Sequence, residues 1–511
     1  MRPRSGHLCL RARYLGGWRV LTFGLLMPVF GAHGSFAQAA DNPGSPNQQQ
    51  VVAIENRLNQ LTEALSQTEK MLDQSRAEIQ LLRSQLDALR AQTTPPSPSA
   101  PSPDIEALRE QQDAMQAEIK QHEQTKVESF SKYPLRLSGL ILFNAFSNAG
   151  VVDDVELPTI ATPREPGTSH GSSGATLRQT LLALDATGPR IAGARSSAEV
   201  SIDFFGGNTT NSYGYSTSAG LVRMRPSWVN LDWYRTTVQA GYTVPLISPL
   251  SPTSYATVAQ PGLAGSGNLW TWSPQVQVEQ RIPISEQRTI GLQAGFIDPP
   301  AYGSASDQLD SPVEASRHPG YEGRLSYRVE GSRKGVPQPF TLGLSGYSAH
   351  QFYSSATQIH SWAVTGDWQI PLYRWFALSG EAYRGRSLGG FGGGVYKDIF
   401  TGTDSVSGLS RTTGVATAGG WGQLKFLLNS TFQLNAAYGL DDAFSSNFDG
   451  FNLPSNGALL DIRNSSIIGN LIYRPKTYLI LSPEYRRIKT WPYNGAPNIA
   501  NVFTISAGFE F

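Results

Sequence analysis

Apolar and polar residues alternate in short segments along most of the chain beyond its N-terminal quarter. The clearest segment is the last one, residues 501–511. A period of two with one apolar face is typical of a β-strand that is apolar on one side and hydrated on the other. About 10 residues let a tilted strand cross a bilayer, so the segment predicts a membrane-crossing strand or, alternatively, a soluble edge strand. The apolar face carries Phe503, Ile505, Ala507, Phe509 and Phe511.

The same alternation recurs in sixteen segments after Tyr133. The connections between these segments mostly alternate between short and long. Outer-membrane barrels have the same alternation, and their short turns and termini face the periplasm. Three short turns also place aromatic residues beside an arginine, a combination that suits a lipid headgroup interface. The pattern predicts a mainly β fold: a transmembrane antiparallel β-barrel of about 16 strands, with 14 or 18 as alternatives. The predicted strands are 135–147, 175–187, 192–205, 220–232, 234–244, 275–282, 289–297, 321–330, 339–350, 358–370, 376–387, 412–426, 431–440, 462–473, 478–489 and 501–511.

A different periodicity precedes the barrel. From Val51 to Leu89 the apolar residues keep heptad spacing, which indicates an α-helical coiled coil, and its seam does not decide between two and three strands. The following QTTPPSPSAPSP stretch cannot continue a helix. A weaker helical pattern begins at Asp104. The predicted organisation is a signal peptide (1–39), a periplasmic coiled coil (40–92), a Pro-rich linker (93–103), a second helical segment (104–130) and an outer-membrane barrel (131–511).

The N-terminus and the composition agree with an envelope protein. A basic start, an apolar run from Val20 to Phe30 and the Ala37-Gln38-Ala39 site predict secretion. The only cysteine, Cys9, lies in the part removed, so no disulfide or lipid anchor is predicted. A formal net charge of +1 over 511 residues gives no reason to expect nucleic-acid binding. No metal-ligand cluster or cofactor motif appears, so no cofactor, no metal site and no catalytic residue is predicted.

Candidate functional residues follow from the barrel. About 16 strands enclose an aqueous channel unless something plugs it. The third long loop, Pro245 to Pro274, has no charged residue. By its position the loop resembles the third loop of general porins, which folds inward and narrows the pore. That resemblance implies that its Tyr255, Trp270 and Trp272 lie at a pore constriction, and the alternative is a trimer-packing or external loop. Strand parity predicts inward charges, which either create a field across the pore or form cross-strand salt bridges. These are Arg195, Glu199, Asp203, Arg223, Arg225, Glu322, Arg324, Arg328, Glu381, Glu484 and Arg486.

Two resemblances add expectations. The C-terminal strand with its final Phe resembles the closing strand of Gram-negative outer-membrane barrels, which implies that Phe503, Phe509 and Phe511 form the signal read by the barrel-assembly machinery. The order of signal peptide, coiled coil, proline linker and barrel, with GSGNLW at Gly265 to Trp270, resembles the DcaP-like porins. That resemblance implies a homotrimer that takes up small carboxylates, but no substrate-site residue of the family matches here.

The predicted function is a porin for passive diffusion of small hydrophilic solutes, a non-enzymatic protein embedded in outer-membrane lipid. One alternative is an anchor whose periplasmic coiled coil contacts the cell wall or a periplasmic partner. A further alternative is a lipid hydrolase with a Ser–His pair on the lipid-facing wall. For that role the sequence offers His350 and His360 on adjacent strands, with Ser354 and Ser355 between them.

Overall fold

A computed structural model describes residues 134–207, 220–300, 311–333, 336–337, 339–353, 357–373, 375–453 and 460–511. The predicted signal peptide, coiled coil, proline linker and second helical segment lie outside the described residues. So do Ser354 and Ser355. In the described part, no helix is long and apolar enough to cross a membrane.

Twenty-two strands, one short helix and two 3-10 turns make up the described structure. The helix is α1 (Pro312–Ala315), and the 3-10 turns are Gly389–Phe391 and Ser445–Phe448. The strands are β1 (Leu135–Ala149), β2 (Gly171–Thr176), β3 (Leu181–Ile191), β4 (Ala194–Asp203), β5 (Arg223–Met224), β6 (Ser227–Asp232), β7 (Thr236–Thr243), β8 (Ser273–Pro283), β9 (Arg288–Ile297), β10 (Gly320–Val329), β11 (Ser332–Arg333), β12 (Val336–Pro337), β13 (Phe340–Tyr353), β14 (Thr357–Tyr373), β15 (Phe376–Arg386), β16 (Ile399–Thr403), β17 (Ser410–Gly414), β18 (Ala416–Leu427), β19 (Phe432–Ala443), β20 (Asp461–Lys476), β21 (Leu479–Pro492) and β22 (Asn498–Glu510).

Sixteen of these strands form a closed antiparallel barrel. The ring runs β1–β3–β4–β6–β7–β8–β9–β10–β13–β14–β15–β18–β19–β20–β21–β22 and closes where β22 pairs with β1, from Leu140↔Glu510 to Ala149↔Asn501. Closure satisfies the backbone of both terminal strands, which a lipid environment requires. The predicted barrel and its strand number are therefore confirmed, and each predicted segment overlaps one strand of the ring.

The predictions missed some local features. Segment 175–187 is interrupted between β2 and β3, and segment 220–232 is interrupted between β5 and β6; β2 and β5 extend their ring strands toward the long loops. Strand β16 lies within a predicted loop, whereas its partner β17 overlaps the start of predicted segment 412–426, which continues as β18. The small pair β11–β12 lies within a predicted short turn. These pieces are too short or too glycine-rich and threonine-rich to show a clear period of two.

Side chains alternate across the barrel wall as the sequence pattern predicts. On β22 the outward Phe503, Ile505 and Phe509 are exposed, whereas the intervening Thr504 and Ser506 point inward and are buried. Outward aromatic rings gather at the end of the barrel that carries the short turns. There Phe376 stacks on Phe426, Phe432 stacks on Tyr473, and Tyr478 contacts Phe509. Such a ring of amphipathic aromatic groups is typical of a membrane–water interface.

Candidate functional site

The loop between β7 and β8, residues 244–272 and hereafter the third loop, lies inside the barrel. Its Ile247 and Leu269 pack in one buried cluster with the inward Tyr347 and Tyr383. Further along, Leu263 packs with Trp421 of β18 and Ile468 of β20, while Tyr255 and Val258 pack against Leu142 and Ile480. The loop therefore contacts inward side chains around most of the ring. The sequence left open whether this loop lies inside or outside the barrel, because an external loop could have the same composition.

The loop has no charged side chain of its own, so its buried backbone groups need partners from the wall. At its first part the Leu246 N–H donates to Glu322 Oε2 of β10 at 2.8 Å. The carboxylate of Glu381 on β15 accepts from Ser248 Oγ at 2.6 Å and from the Leu250 N–H at 2.7 Å. Trp421 Nε1 also donates to Glu381, at 3.1 Å. Two acidic side chains thus hold the loop to the wall.

Strands β20 and β21 hold the middle of the loop in the same way. Ser254 Oγ donates to Glu484 Oε2 at 2.6 Å. Asn470 Nδ2 donates to the same carboxylate at 2.9 Å and to the Thr253 carbonyl at 2.9 Å. On the same strand as Glu484, Arg486 Nη1 donates to the Gly262 carbonyl at 3.0 Å. These inward charges are buried and bind loop atoms.

Farther around the ring, at β4 and β5, two arginines bind one buried carboxylate and the loop backbone. Arg223 Nη2 and Arg225 Nη1 both contact Asp203 Oδ2, at 2.6 and 2.9 Å. Arg223 Nη2 also donates to the Ala259 carbonyl at 2.6 Å, and Arg225 Nη1 donates to the Val258 carbonyl at 3.0 Å. The Trp272 ring lies 4.6 Å from the Arg225 guanidinium and 5.3 Å from that of Arg223. Such cation–π contacts fix the end of the loop against this wall.

A tight turn in the loop approaches the wall closely enough to require glycine. Gly267 has a φ of +98°, and a Cβ there would lie 2.2 Å from the Gly420 carbonyl oxygen. Asn464 Nδ2 donates to the Gly265 carbonyl at 3.0 Å and to Ser266 Oγ at 2.8 Å. The backbone of the third loop thus contacts the backbone of the wall at Gly267, and only a residue without a Cβ allows this approach.

The glycine-rich stretch after β15, residues 387–398, is a second buried loop. The Trp270 N–H donates to the Phe391 carbonyl at 3.0 Å, so this stretch packs on the third loop. Asp441 of β19 accepts from Tyr383 Oη at 2.6 Å and from the Val395 N–H. In the same loop Lys397 Nζ donates to the Asp461 carbonyl at 2.7 Å, and burial lowers the pKa of its amine.

Of the remaining predicted charges, Arg195 lies on an uncovered part of the wall. Arg195 of β4 is 3.6 Å from Asp232, and Asp232 also pairs with Arg281 at 2.8 Å. Farther along the ring, Arg324 Nη2 of β10 lies 2.7 Å from Asp367 Oδ2 of β14, and this ion pair is largely buried. The side chain of Arg195 is 64% exposed and those of Arg281 and Asp232 are about one-third exposed, so water reaches them.

Glu199 is on the same inward face of β4, opposite Asp185 and Trp228. Arg328 pairs with Glu330 at 2.6 Å near the short-turn end. Sequence reasoning missed Asp232, Arg281 and Asp367, which strand parity could have found because they share the inward face of their strands. Half-buried amides continue this polar surface, and they are Asn230, Gln239, Gln277 and Gln293.

The predicted aromatic residues of the third loop have different surroundings. Trp272 is buried, and Trp270 contacts its edge at a ring-centroid distance of 5.6 Å. Tyr255 Oη accepts a hydrogen bond from Arg474 Nη2 of β20. The three C-terminal phenylalanines lie on β22 or just beyond it, where Phe511 exchanges two backbone hydrogen bonds with Gly139. Within the described ranges, no group of histidine, cysteine and acidic residues is arranged to hold a metal ion.

Comparison with known proteins supports the architecture. No protein-family model and no curated protein matches the chain. Among solved structures, the outer membrane channel DcaP of Acinetobacter baumannii matches with a TM-score of 0.55 and 16% identity, over 75% of this chain and 99% of that one. An anion-selective porin from Comamonas acidovorans matches with a TM-score of 0.46 and 13% identity, over 74% and 100% of the two chains. The first likeness shows that this chain has the barrel fold of an outer-membrane channel, as the predicted DcaP-like resemblance requires.

Proposed function

We propose that this protein is an outer-membrane porin through which small hydrophilic solutes diffuse passively. The observation that carries the proposal is the uncovered part of the inner wall. There Arg195, Asp232 and Arg281, near the short-turn end of a closed barrel, stay accessible to water. A diffusion channel requires such a polar, hydrated inner face.

The charges of this wall favour a channel with little preference between anions and cations. Each exposed arginine lies beside an acidic residue, as Arg281 lies beside Asp232 and Glu279. Adjacent opposite charges cancel at a distance of about a Debye length, although close to the wall they still orient a polar solute. Selective uptake of small carboxylates, which the DcaP-like resemblance implies, would require an excess of positive charge that this wall lacks.

Conductance of the full-length protein in a planar lipid bilayer tests the channel. With a salt gradient across the bilayer we expect stepwise openings and a reversal potential close to zero. Addition of succinate tests the carboxylate expectation, since a solute that binds in the pore interrupts the current. Heat-dependent gel mobility shows whether the barrel is folded. An absence of current from folded protein would contradict the proposal.

We further propose a homotrimer aligned by the N-terminal coiled coil, which would place three barrels around one axis. Openings in groups of three support this assembly. Deletion of residues 51–128 separates two roles of the coil. Loss of trimers with conducting monomers indicates assembly, whereas intact trimers with a weakened cell envelope indicate a tether to the cell wall or a periplasmic partner.

The C-terminal residues are proposed to direct insertion by the barrel-assembly machinery. Phe503 and Phe509 face outward on β22 and are exposed, so the machinery could read them before the barrel closes. Removal of Phe511 is expected to lower the amount of barrel in the outer membrane while the unfolded chain accumulates in the periplasm. An unchanged amount of folded barrel would argue against this role.

A lipid hydrolase is a second candidate because one contact favours it. His360 Nε2 lies 2.9 Å from Ser348 Oγ on the outward face of adjacent strands. Nucleophilic catalysis also needs a group that orients the ring and donors for an oxyanion. In the described part of the chain no ion pair links His360 to a carboxylate, and the strand N–H groups around it belong to the β-ladder. Release of fatty acid that is lost in His360→Ala would support the hydrolase.

A further inference from the structure

Three histidines form a row on the outer wall near the long-loop end of the barrel. His318 precedes β10, and His350 and His360 are direct cross-strand partners on β13 and β14. The ring centroids of His318 and His350 are 6.4 Å apart, and those of His350 and His360 are 5.3 Å apart. All three residues are exposed and lie on an outward face that is otherwise apolar along most of its length.

The depth of this histidine row in the membrane follows from the length of β14. Outward residues from Trp362 to Leu372 include Val364, Trp368 and Ile370. At about 3.3 Å per residue and a tilt of about 40°, this stretch covers about 25 Å, the height of the apolar band of an outer-membrane barrel. His360 comes one outward position beyond Trp362. The histidines therefore lie where the headgroups of the outer leaflet begin, with the short turns in the periplasm.

An arginine on the next strand adds a fixed positive charge closer to the bilayer centre, four residues along the strand from the level of His360. Arg384 of β15 is outward and exposed, opposite Val364, and its guanidinium lies 5.2 Å from the ring of Phe444 beyond the end of β19. It is thus directed toward the long-loop rim, as expected for a side chain that snorkels. Among the described residues no ion pair joins Arg384 or any of the three histidines to a carboxylate. The positive and N–H-donating groups of the patch have no acidic partner there.

We propose that the row of His318, His350 and His360 and the side chain of Arg384 bind separate phosphate groups of one outer-leaflet glycolipid, namely lipopolysaccharide. Phosphate oxygens accept hydrogen bonds from imidazole and guanidinium groups, and a nearby anion favours the protonated form of an imidazole. The hydroxyl of Ser348 contacts His360 Nε2 and fixes the orientation of that ring. This site is on the lipid side of the wall, so it does not depend on whether the lumen conducts.

The test is binding of lipopolysaccharide to the full-length protein in detergent, measured by native mass spectrometry. The binding variant replaces all four residues: H318Q, H350Q, H360Q and R384Q. The control variant, H170Q with R190Q, changes the same residue types at exposed positions away from the patch. We expect about a tenfold loss of affinity in the binding variant and none in the control. Dephosphorylated lipopolysaccharide should bind the natural protein as weakly as the intact lipid binds the variant.

Each alternative result has a distinct meaning. Equal binding of phosphorylated and dephosphorylated lipid, or unchanged affinity in the binding variant, would overturn the proposal. Strong competition by inorganic phosphate at millimolar concentration would show a general anion site rather than a lipid site. Release of fatty acid that stops in Ser348→Ala would replace binding by hydrolysis. Heat-dependent gel mobility of every variant separates loss of binding from loss of folding.

Discussion

The inner wall of this barrel has two regions that share one sequence pattern and differ in what their charges do. On the covered wall Glu322, Glu381 and Glu484 are at most 6% exposed and bind atoms of the third loop. On the open wall Arg195 and Arg281 pair with acidic residues of neighbouring strands and remain wet. An inward charge therefore lines the pore only where no loop lies over it. The position of one uncharged loop decides which role each residue has.

Removing the loop should have the largest effect on this difference. Replacement of residues 246–270 by a short Gly-Ser linker exposes the covered carboxylates and widens the lumen. Single-channel conductance in a planar bilayer should rise several-fold, since a barrel of this size encloses an aqueous channel when nothing fills it. As a control, the exposed tip of the β16–β17 hairpin, residues 404–409, can be replaced by the same linker. A conductance equal to that of the natural protein after loop removal would mean that the loop does not narrow the pore.

Gly267→Ala tests how closely the loop approaches the covered wall. The new Cβ would collide with the Gly420 carbonyl oxygen, and the positive φ adds strain, so we expect a loss of about 3 kcal/mol. Gly408→Ala is the matched control, because Gly408 also has a positive φ but no atom within 4 Å of the added Cβ. Its expected loss is about 1 kcal/mol. Urea unfolding followed by tryptophan fluorescence measures both, and equal losses would refute the close approach.

The same substitution on the two walls compares them directly. Glu381→Gln leaves buried donors of Ser248, Leu250 and Trp421 facing an amide, and we expect a loss of about 2 kcal/mol in the same unfolding experiment. Glu279→Gln, on the open wall, removes one exposed ion pair with Arg281 and should cost less than about 0.5 kcal/mol. If the two variants lost similar stability, the distinction between covered and open walls would have no energetic basis.

Ion selectivity provides the finest comparison. Arg281→Gln removes a positive charge from the open wall, so the reversal potential under a salt gradient should shift toward cations. A unit charge at about 10 Å in water is worth about 0.4 kcal/mol, or a factor of about two in the permeability ratio. Arg486→Gln removes the same charge under the third loop, and we expect no comparable shift. A larger shift from Arg486 than from Arg281 would place the conducting path on the other side of the loop.

Much of the architecture could be predicted from the sequence. The period of two in segments such as 501–511 exists because a lipid-facing strand must be apolar on one face, and the same constraint fixes which charges point inward. All of Arg195, Glu322, Glu381 and Arg486 were assigned to the inner face on this basis. The sequence also indicated that the loop after the fifth predicted strand would be uncharged. The coiled coil that the N-terminal heptad spacing indicates remains a prediction.

The location of the loops depended on contacts between residues far apart in the chain. An uncharged loop can fold inward only if the wall supplies donors and acceptors at matching heights, as Glu322, Glu381 and Glu484 do from three different strands. No local period encodes that match, because each of these carboxylates lies many residues from the loop atom that it binds. For the same reason the row of His318, His350 and His360 was not visible as one patch. The sequence by itself determined the barrel and the face of each strand residue, since these follow from local alternation. Only the tertiary structure decided which inward charges are covered, because that depends on where the closed ring brings the third loop.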